Sequence, residues 1–427
     1  MTGSGKTTVT LGLLTALKSR GIRVQPFKVG PDFIDPGLHK IAAGVASHNL
    51  DGWMLARETN MWLFAHESQD RDVAVVEGVM GLFDGLDGTS ERGSTAEIAK
   101  WLDLPVILVV DAHGMARSAA ALVYGFQNLD PDVKISGVLF NRVAGEGHYR
   151  ILADAVKDVP LLGWLPVDPS IEIPERHLGL LTAKEELAAS RIQSIGEFFA
   201  KHISVDAVLS SAAERKRDSA QPKELPAPTV RTKQRVALAH DKAFSFYYQA
   251  NRMALEEAGG EIIEFSPLSD HELPEADLLY IGGGYPELYR HRLEANTTMR
   301  ASVKRFIESG KKFYAECGGL MYLAESIDKS QMVGILPAKI EMTDRLVDFG
   351  YCEIMTTGTS ILGAAGTTAR GHQFHYSRAS GPRGEAYRVR QRNREYLEGF
   401  VFPNGIASYI HLHFLSNPDI AKNMLHS

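Results

Sequence analysis

Residues 311–323 restrict the fold of this chain more than any other stretch. They read KKFYAECGGLMYL, an apolar run that ends at Cys317 and passes through two glycines into a helical pattern. This order predicts a strand, a tight turn and a helix, because glycines permit the strained backbone of such a turn. Amide groups at the start of the helix can stabilise both a thiolate and an oxyanion. Cys317 is therefore a candidate nucleophile, and the alternative is a small buried hydrophobic residue.

Two other stretches supply the remaining parts of a catalytic site. The segment IGGGYPE (281–287) follows an apolar strand, and backbone amides at Gly283 and Gly284 are predicted to form an oxyanion hole together with Gly318. In ASYIHLHF (407–414) two histidines, at positions 411 and 413, occupy alternating strand positions, and one of them is a candidate general base. Cysteine, glycine-loop amides and histidine together predict a thiol hydrolase that attacks an amide.

The chain from about Arg235 onward resembles the glutamine amidotransferase domain of the enzymes that amidate cobyric and cobyrinic acid. The resemblance is carried by GGGYPELY, YAECGGLMYL and ASYIHLHF, in this order. It implies that Cys317 takes the amide of glutamine as a thioester and releases ammonia, with His411 as its base. Many related glutaminases have a carboxylate two residues after the histidine, where this chain has His413. The resemblance therefore implies a Cys–His pair rather than a complete triad.

Composition restricts the class of protein and its partners. The chain has 427 residues, which is enough for two or three domains, and its 44% hydrophobic and 23% charged content is typical of globular proteins. With only Cys317 and Cys352 present, a disulfide framework is excluded and a cytoplasmic location is expected. The net charge of -6 disfavours nucleic acid as a partner. No membrane partner is expected, and a homodimer is left open.

The first residues contain most of a phosphate-binding loop. In MTGSGKTT the residues Gly5, Lys6 and Thr7 match the end of the pattern G-x-x-x-x-G-K-[ST], whose amides and lysine hold phosphates and whose hydroxyl binds Mg²⁺. A helical pattern follows, with Val9 and Leu13 on one face. The predicted nucleotide contacts are Gly3, Gly5, Lys6, Thr7 and Thr8.

The leading glycine of that pattern would lie just before Met1, and so would the strand that normally feeds the loop. In such domains this strand is central in the parallel sheet, and its removal would leave backbone groups of its neighbours unpaired. We therefore expect an upstream β-branched strand and glycine, roughly 10 to 15 residues in all. A chain extended by these residues is expected to fold and bind ATP better.

Strands and helices alternate after the loop, as a parallel sheet requires. The predicted strands are 24–29, 73–77, 105–111, 135–141 and 161–165. Asp32, Asp35 and Glu77 follow or close these strands, at the sheet edge where open α/β sheets bind ligands. Singly each is typical of a helix cap or a solvated charge, but together they predict a site for magnesium or the acceptor.

The segments KVGPDFIDP and VVEGVMGLFDG resemble cobyrinic acid a,c-diamide synthases, whose N-terminal domain is similar to dethiobiotin synthetase. The resemblance implies ATP as a substrate and Mg²⁺ as a cofactor, and it places Asp32 and Asp35 at the metal and substrate-carboxylate site. It implies a phosphate or carboxylate contact for Lys28 and a position near adenine for Asn141. The implied metal ligands are Thr7, Asp32 and Glu77.

These patterns predict an α/β protein of two domains. Residues 1–200 are predicted to form a P-loop, parallel-sheet ATP-binding domain that acts as an amidoligase. The charged and proline-rich stretch 201–232 is predicted to be a linker, and residues 233–427 a class I glutamine amidotransferase-like α/β domain.

The leading functional hypothesis is ATP-dependent amidation of the a and c acetate carboxylates of cobyrinic acid through an acyl phosphate, with ammonia from glutamine. Hydrogenobyrinic acid and nickel-sirohydrochlorin are alternative acceptors with the same acetate groups. A P-loop nucleotide switch with a degenerate second domain is a further alternative, although a switch does not require both Cys317 and His411. His372 and His375 are left as structural or substrate-facing residues.

Overall fold

The computed structural model describes residues 2–171, 185–212, 233–381 and 384–426. They form two compact units, an N-terminal unit (2–171 and 185–212) and a C-terminal unit (233–381 and 384–426). In these ranges no helix has both the length and the apolar character that crossing a bilayer requires.

The N-terminal unit alternates strands and helices. Its helices are α1 (Lys6–Ser19), α2 (Ile34–Ala43), α3 (Arg57–Glu67), α4 (Thr95–Trp101), α5 (Ser118–Asn128), α6 (Glu146–Ala155), α7 (Glu185–His202) and α8 (Val205–Ser210). Its strands are β1 (Val24–Val29), β2 (His48–Leu50), β3 (Val73–Glu77), β4 (Val106–Asp111), β5 (Ile135–Val143) and β6 (Leu161–Pro166). The five predicted strands are all present, and β2 is additional.

The predicted parallel strand pairing is confirmed, and the strands form two separate parallel sheets, with the orders β2-β1-β3 and β4-β5-β6. Among the described residues, β3 pairs only with β1 and β4 pairs only with β5, so no hydrogen-bonded strand joins the two sheets. The apolar residues 73–76 of β3 are all part-exposed, as are several of β4. The upstream strand expected from the phosphate loop stays a prediction.

Helix α8 belongs to the core of the N-terminal unit. Val205 and Val208 are buried in the same apolar cluster as α1 and α7. The predicted linker 201–232 is therefore wrong over residues 201–210, because the apolar side chains of this stretch are removed from water by α1 and α7. Residues 213–232 lie outside the described part of the chain.

The C-terminal unit combines a mostly parallel sheet with antiparallel ones. Its helices are α9 (Gln249–Glu257), α10 (Arg290–Ala295), α11 (Thr297–Glu308), α12 (Gly318–Leu323) and α13 (Asp419–His426). Its first strands are β7 (Gln234–Ala239), β8 (Phe244–Phe246), β9 (Gly260–Phe265), β10 (Leu278–Ile281), β11 (Gly283–Gly284), β12 (Lys312–Glu316), β13 (Ser326–Ile327), β14 (Ser330–Gln331) and β15 (Lys339–Met342). The remaining strands are β16 (Asp348–Thr356), β17 (Thr368–His375), β18 (Ser377–Ser380), β19 (Tyr387–Gln391), β20 (Arg394–Glu398), β21 (Phe400–Phe402), β22 (Gly405–Ser408) and β23 (His411–Leu412).

The main sheet has the order β21-β22-β12-β10-β7-β9, and only β21 is antiparallel to its neighbour. Strands β22, β12 and β10 are adjacent and parallel, so their carboxyl ends open on one edge. Strand β10 leads to Gly283, β12 to Cys317, and β22 to the segment that reaches His411. The order of the strands thus brings three separate sequence motifs to one place.

Candidate active sites

Cys317 lies at a strained turn between a strand and a helix. Strand β12 ends at Glu316 and helix α12 begins at Gly318, so the predicted arrangement is confirmed. The backbone of Cys317 has φ 46° and ψ -101°, a conformation that non-glycine residues rarely adopt. Its amide donates a hydrogen bond of 2.7 Å to the carbonyl of Ser408, which ties the turn to β22. Strain of this kind is typical of functional positions.

His411 is hydrogen-bonded to the side chain of Cys317 and is almost fully buried. Burial by itself would lower the pKa of His411, but Cys317 and Glu316 outweigh it and raise the pKa to about 9. At neutral pH the ring is therefore an imidazolium beside the cysteine sulfur. A protonated histidine beside a cysteine is an arrangement that activates thiol nucleophiles in general.

The glycine loop closes the other side of this pair. A methyl group added to Gly283 would lie 2.3 Å from Cε1 of His411, so the loop backbone is in close contact with the imidazole. One added to Gly318 would lie 3.1 Å from the amide nitrogen of Gly284. The structure brings the three predicted glycines together beside Cys317, while their role as an oxyanion hole stays a prediction.

We expect Gly283→Ala to lower glutamine hydrolysis by about 10²-fold, because the new methyl group displaces the imidazole and a small misplacement of a catalytic group has effects of that size. The rate of glutamate release checks this. Gly358→Ala is the matched control, since an added methyl group there has no atom within 4 Å. Equal losses in the two variants would contradict the expectation.

The other histidines of this region have different surroundings. His413 is fully buried, with its ring centroid 4.6 Å from that of Tyr248. The ring of His372 stacks on His411 at 5.0 Å, and its Nδ1 lies 2.7 Å from the hydroxyl of Tyr248. Burial, followed by the two neighbouring histidines, keeps the pKa of His372 well below its ordinary value. His372 is therefore neutral, whereas His411 carries the charge.

In the N-terminal unit the phosphate loop precedes α1. Gly3 and Gly5 have φ values of 74° and 89°, a region that glycine enters without strain. The Lys6 ammonium donates a 2.7 Å hydrogen bond to the carbonyl of Met80 in the loop after β3. Burial, and then the charge of Lys28, lower the pKa of Lys6. Thr8 is the third residue of α1 and is part-exposed.

Asn141 and Arg142, at the end of β5, hold the backbone of the phosphate loop. The Asn141 side-chain amide donates to the carbonyl of Ser4 at 2.9 Å, and the Arg142 guanidinium donates to that of Gly3 at 2.8 Å. The structure thus places Asn141 against the loop. Its predicted position near adenine is not tested by this contact.

The carboxylates predicted as a site are gathered around Lys28. Lys28 and Glu77 are register partners on β1 and β3. The Lys28 ammonium lies 2.6 Å from Asp35, 2.8 Å from Glu77 and 4.0 Å from Asp32. Thr7 donates a 2.8 Å hydrogen bond to the Glu77 oxygen that Lys28 contacts. Burial would lower the pKa of Lys28, but the carboxylates raise it to about 12, so the lysine stays charged.

His39 belongs to the same network, although the sequence did not indicate it. Its Nε2 lies 2.7 Å from the second oxygen of Glu77, and its Nδ1 lies 3.1 Å from the Ser47 hydroxyl. Burial would raise the pKa of Glu77, but Lys28 and His39 hold it well below its ordinary value. Both oxygens of Glu77 are thereby oriented. A lone histidine inside a helix carries no signal of this role.

The donors of this cluster fit Mg²⁺. No three His, Cys, Asp or Glu side chains in the described ranges are arranged as a metal site. Mg²⁺, however, usually takes only one or two carboxylates from the protein and completes its shell with water and substrate phosphates. The Thr7 hydroxyl and the Glu77 carboxylate are in contact beside the phosphate loop and offer oxygen donors of that kind. Asp32, in contrast, caps α2 by accepting hydrogen bonds from the amides of Ile34 and Asp35.

Glu316 was also missed by the sequence interpretation. It is 2% exposed, and its Oε2 lies 3.7 Å from Nδ1 of His411. An acidic residue that ends an apolar strand directly before the candidate nucleophile was the available signal. The predicted Cys–His pair therefore has a buried carboxylate beside it.

Family models match both parts of the chain. Residues 1–181 match the CobQ/CobB/MinD/ParA nucleotide binding domain, and residues 235–419 match the CobB/CobQ-like glutamine amidotransferase domain. These matches agree with the phosphate loop in one unit and the Cys317 turn in the other.

Curated relatives match nearly the whole chain. A cobyrinate a,c-diamide synthase from Listeria monocytogenes is 43% identical, over 99% of this chain and 96% of the relative. Proteins of the same name from Salmonella typhimurium and Dehalococcoides mccartyi are each 43% identical, over 99% of this chain and 95% of the relative. The chain therefore belongs to the family of the cobyrinate a,c-diamide synthases.

Proposed function

We propose that this chain amidates the a and c acetate carboxylates of cobyrinic acid, using ATP for activation and glutamine as the source of ammonia. The observation that carries the proposal is the presence of two sites in one chain. One is a phosphate loop beside the Lys28 and Glu77 cluster, and the other is the Cys317 and His411 pair. The relatives named cobyrinate a,c-diamide synthase support the choice of acceptor.

The geometry around Cys317 supports glutamine hydrolysis by the following steps. Its thiolate attacks the side-chain carbonyl carbon of glutamine while the oxygen takes up negative charge beside the amides of Gly284 and Gly318. The C–N bond breaks, His411 gives its proton to the leaving nitrogen, and ammonia departs from a thioester. Neutral His411 then takes a proton from water, whose oxygen attacks the thioester carbonyl. The C–S bond breaks, and glutamate and the thiolate are restored.

The acceptor carboxylate must be activated before ammonia can react with it. Its charge repels nucleophiles, and an oxide ion is a poor leaving group. Transfer of the γ-phosphoryl group of ATP to a carboxylate oxygen gives an acyl phosphate and ADP. Ammonia then attacks the acyl carbon, and phosphate leaves as the amide forms. Lys6 and the phosphate-loop amides would hold the phosphates during this transfer.

The remaining residues of the N-terminal site have supporting roles in this proposal. Thr7 and Glu77 would hold Mg²⁺, which when bound neutralises charge on the phosphates. Lys28 would contact a phosphate or the acceptor carboxylate, and Asp35 keeps its ammonium in place at 2.6 Å. Asp32 caps α2 beside the same lysine, 4.0 Å away. The two cysteines form no disulfide, which suits thiol chemistry in the cytoplasm. Analytical ultracentrifugation would show whether the chain is a homodimer.

A competition assay tests the acceptor. The purified chain, ATP, Mg²⁺ and glutamine are mixed with cobyrinic acid, hydrogenobyrinic acid and nickel-sirohydrochlorin together, and amidated products are separated by mass. We expect the diamide of cobyrinic acid to form first. If either of the other two macrocycles is amidated in preference, the reaction type stands but the proposed acceptor is wrong. ATP hydrolysis without formation of any amide would contradict the proposal as a whole.

The choice between the two histidines of the 407–414 segment is a separate prediction. We expect His411→Ala to lower glutamine-dependent synthesis by about 10²-fold or more, because it removes the general acid and base. His413→Ala should have a milder effect, since His413 packs against Tyr248. Initial rates with glutamine and with ammonia check both variants. Equal losses would mean that the assignment of the base to His411 is wrong.

A further inference from the structure

Glu316 is a buried carboxylate that has no part in the steps proposed for glutamine hydrolysis. It is the last residue of β12 and lies directly before Cys317. Its side chain is 2% exposed, and one of its oxygens lies 3.7 Å from Nδ1 of His411, whose side chain is 3% exposed. Burial of an ionised carboxylate is unfavourable unless hydrogen bonds and an opposite charge compensate for it. A site that keeps such a group beside its candidate base requires an explanation.

Three donors hold this carboxylate in one orientation. Oε1 accepts hydrogen bonds from the Tyr314 hydroxyl at 2.7 Å and from the Leu412 amide at 3.0 Å. Oε2 accepts one from the Tyr280 hydroxyl at 3.2 Å. Burial, and then the charge of Glu316, raise the pKa of both tyrosines well above its ordinary value, so they remain donors. The three hydrogen bonds therefore fix both oxygens of Glu316 in place.

We propose that Glu316 is a positioning residue that orients His411 and keeps it in the imidazolium form beside Cys317. The 3.7 Å approach to Nδ1 and the three fixed donors carry this inference. It rests on the proposed role of Cys317 and His411 in glutamine hydrolysis. A carboxylate next to one ring nitrogen sets the orientation and charge of a histidine whose ring also contacts the nucleophile. Here that carboxylate precedes the nucleophile in sequence instead of following the histidine.

The charge of Glu316 has a measurable effect on pH dependence. The titratable groups near His411 are Cys317, Glu316, His372, His375 and His413. Burial lowers the pKa of His372 and of His375, so these two add no positive charge, whereas Cys317 and Glu316 raise the pKa of His411. His411 loses its proton as the pH rises through its pKa of about 9, and activity falls there. Removal of the Glu316 charge lowers this pKa, so the alkaline limb moves to lower pH.

The experiment compares Glu316→Gln with the wild-type chain across pH. We expect kcat for glutamate release to fall by about 10²-fold, the low end of the effect of a general acid–base group. KM for glutamine should stay nearly constant, and the alkaline limb should move down by roughly one pH unit. A second readout without turnover is the pH dependence of Cys317 alkylation by iodoacetamide, measured by peptide mass. At neutral pH this alkylation should be slower in Glu316→Gln than in the wild-type chain, because a less protonated His411 supports the thiolate less.

Glu398→Gln is the matched control. Glu398 is a part-buried carboxylate of this unit, and it also accepts a backbone hydrogen bond near His411, from the Tyr409 amide at 2.8 Å. If Glu316 served only to tether the backbone, both variants would show the same loss and the same pH profile, and the proposal would be overturned. A nearly wild-type kcat and alkaline limb in Glu316→Gln would overturn it as well. A loss and a shift confined to Glu316→Gln support it.

Two further variants keep the test decisive. If circular dichroism shows that Glu316→Gln does not fold, Glu316→Asp withdraws the carboxylate by one methylene group. It is then expected to lower kcat by about tenfold. A wild-type kcat in Glu316→Asp would contradict the positioning role. Cys317→Ala distinguishes a failure of the proposed function from a failure of the role of Glu316. Glutamate release that persists in Cys317→Ala would refute the proposed function. If glutamate release is lost in Cys317→Ala but normal in Glu316→Gln, only the role of Glu316 is refuted.

Discussion

Cys317→Ala is expected to abolish glutamine-dependent amidation while leaving synthesis from high concentrations of ammonia intact. The alanine has no sulfur to form the thioester, and loss of a nucleophile lowers turnover by on the order of 10⁴-fold or more. The phosphate loop and the Lys28 cluster belong to the N-terminal unit, so activation of the acceptor does not depend on the thiol. Initial rates of amide formation with each nitrogen donor measure both effects.

Cys352→Ser is the control for this variant. Cys352 is fully buried on β16, and burial raises the pKa of its thiol well above the ordinary value, so it is not a nucleophile. We expect it to retain glutamine-dependent activity. Glutamine hydrolysis that persists in Cys317→Ala would contradict the assignment of Cys317 as the nucleophile. Loss of ammonia-dependent synthesis in Cys317→Ala would show that the two activities are not separable.

Glu77→Gln is expected to lower the rate of amide synthesis with either nitrogen donor by about 10²-fold or more. The substitution removes the negative charge that Lys28 and His39 contact at 2.8 Å and 2.7 Å, and it weakens the proposed place for Mg²⁺ beside Thr7. Without activation of the carboxylate, the source of ammonia is irrelevant. Glutamate release measured without acceptor should persist, because the cysteine site lies in the C-terminal unit.

A buried carboxylate in the same unit offers the control. Glu97, in α4, accepts a 2.7 Å hydrogen bond from the Gly93 amide and has no part in the proposed chemistry. We expect Glu97→Gln to synthesise amide almost normally. Since breaking a buried ion pair costs about 3 to 5 kcal/mol, thermal unfolding of Glu77→Gln must be measured as well. Near-normal ammonia-dependent turnover in a folded Glu77→Gln would remove Glu77 from the mechanism.

Local sequence patterns were sufficient for much of the fold and for the main site residues. Apolar runs that end in polar residues predicted the five strands of the N-terminal unit, and the glycines around Cys317 predicted its turn. Both depend on contacts between near neighbours in the chain, where periodicity and backbone freedom are decisive. The end of the first domain was missed because α8 is short, and its burial comes from α1, far away in sequence.

The sequence by itself determined which chemical groups this protein carries: a phosphate loop, a cysteine at a strained turn and a histidine near the C-terminus. Only the tertiary structure decided which groups meet. The adjacency of β22, β12 and β10 places His411 against Gly283, and the same packing sets Glu316 3.7 Å from the imidazole. The pairing of β1 with β3 likewise joins Lys28 to Glu77. Strand order arises from the burial of apolar faces across the whole domain, so residues that are distant in sequence become partners that no local pattern contains.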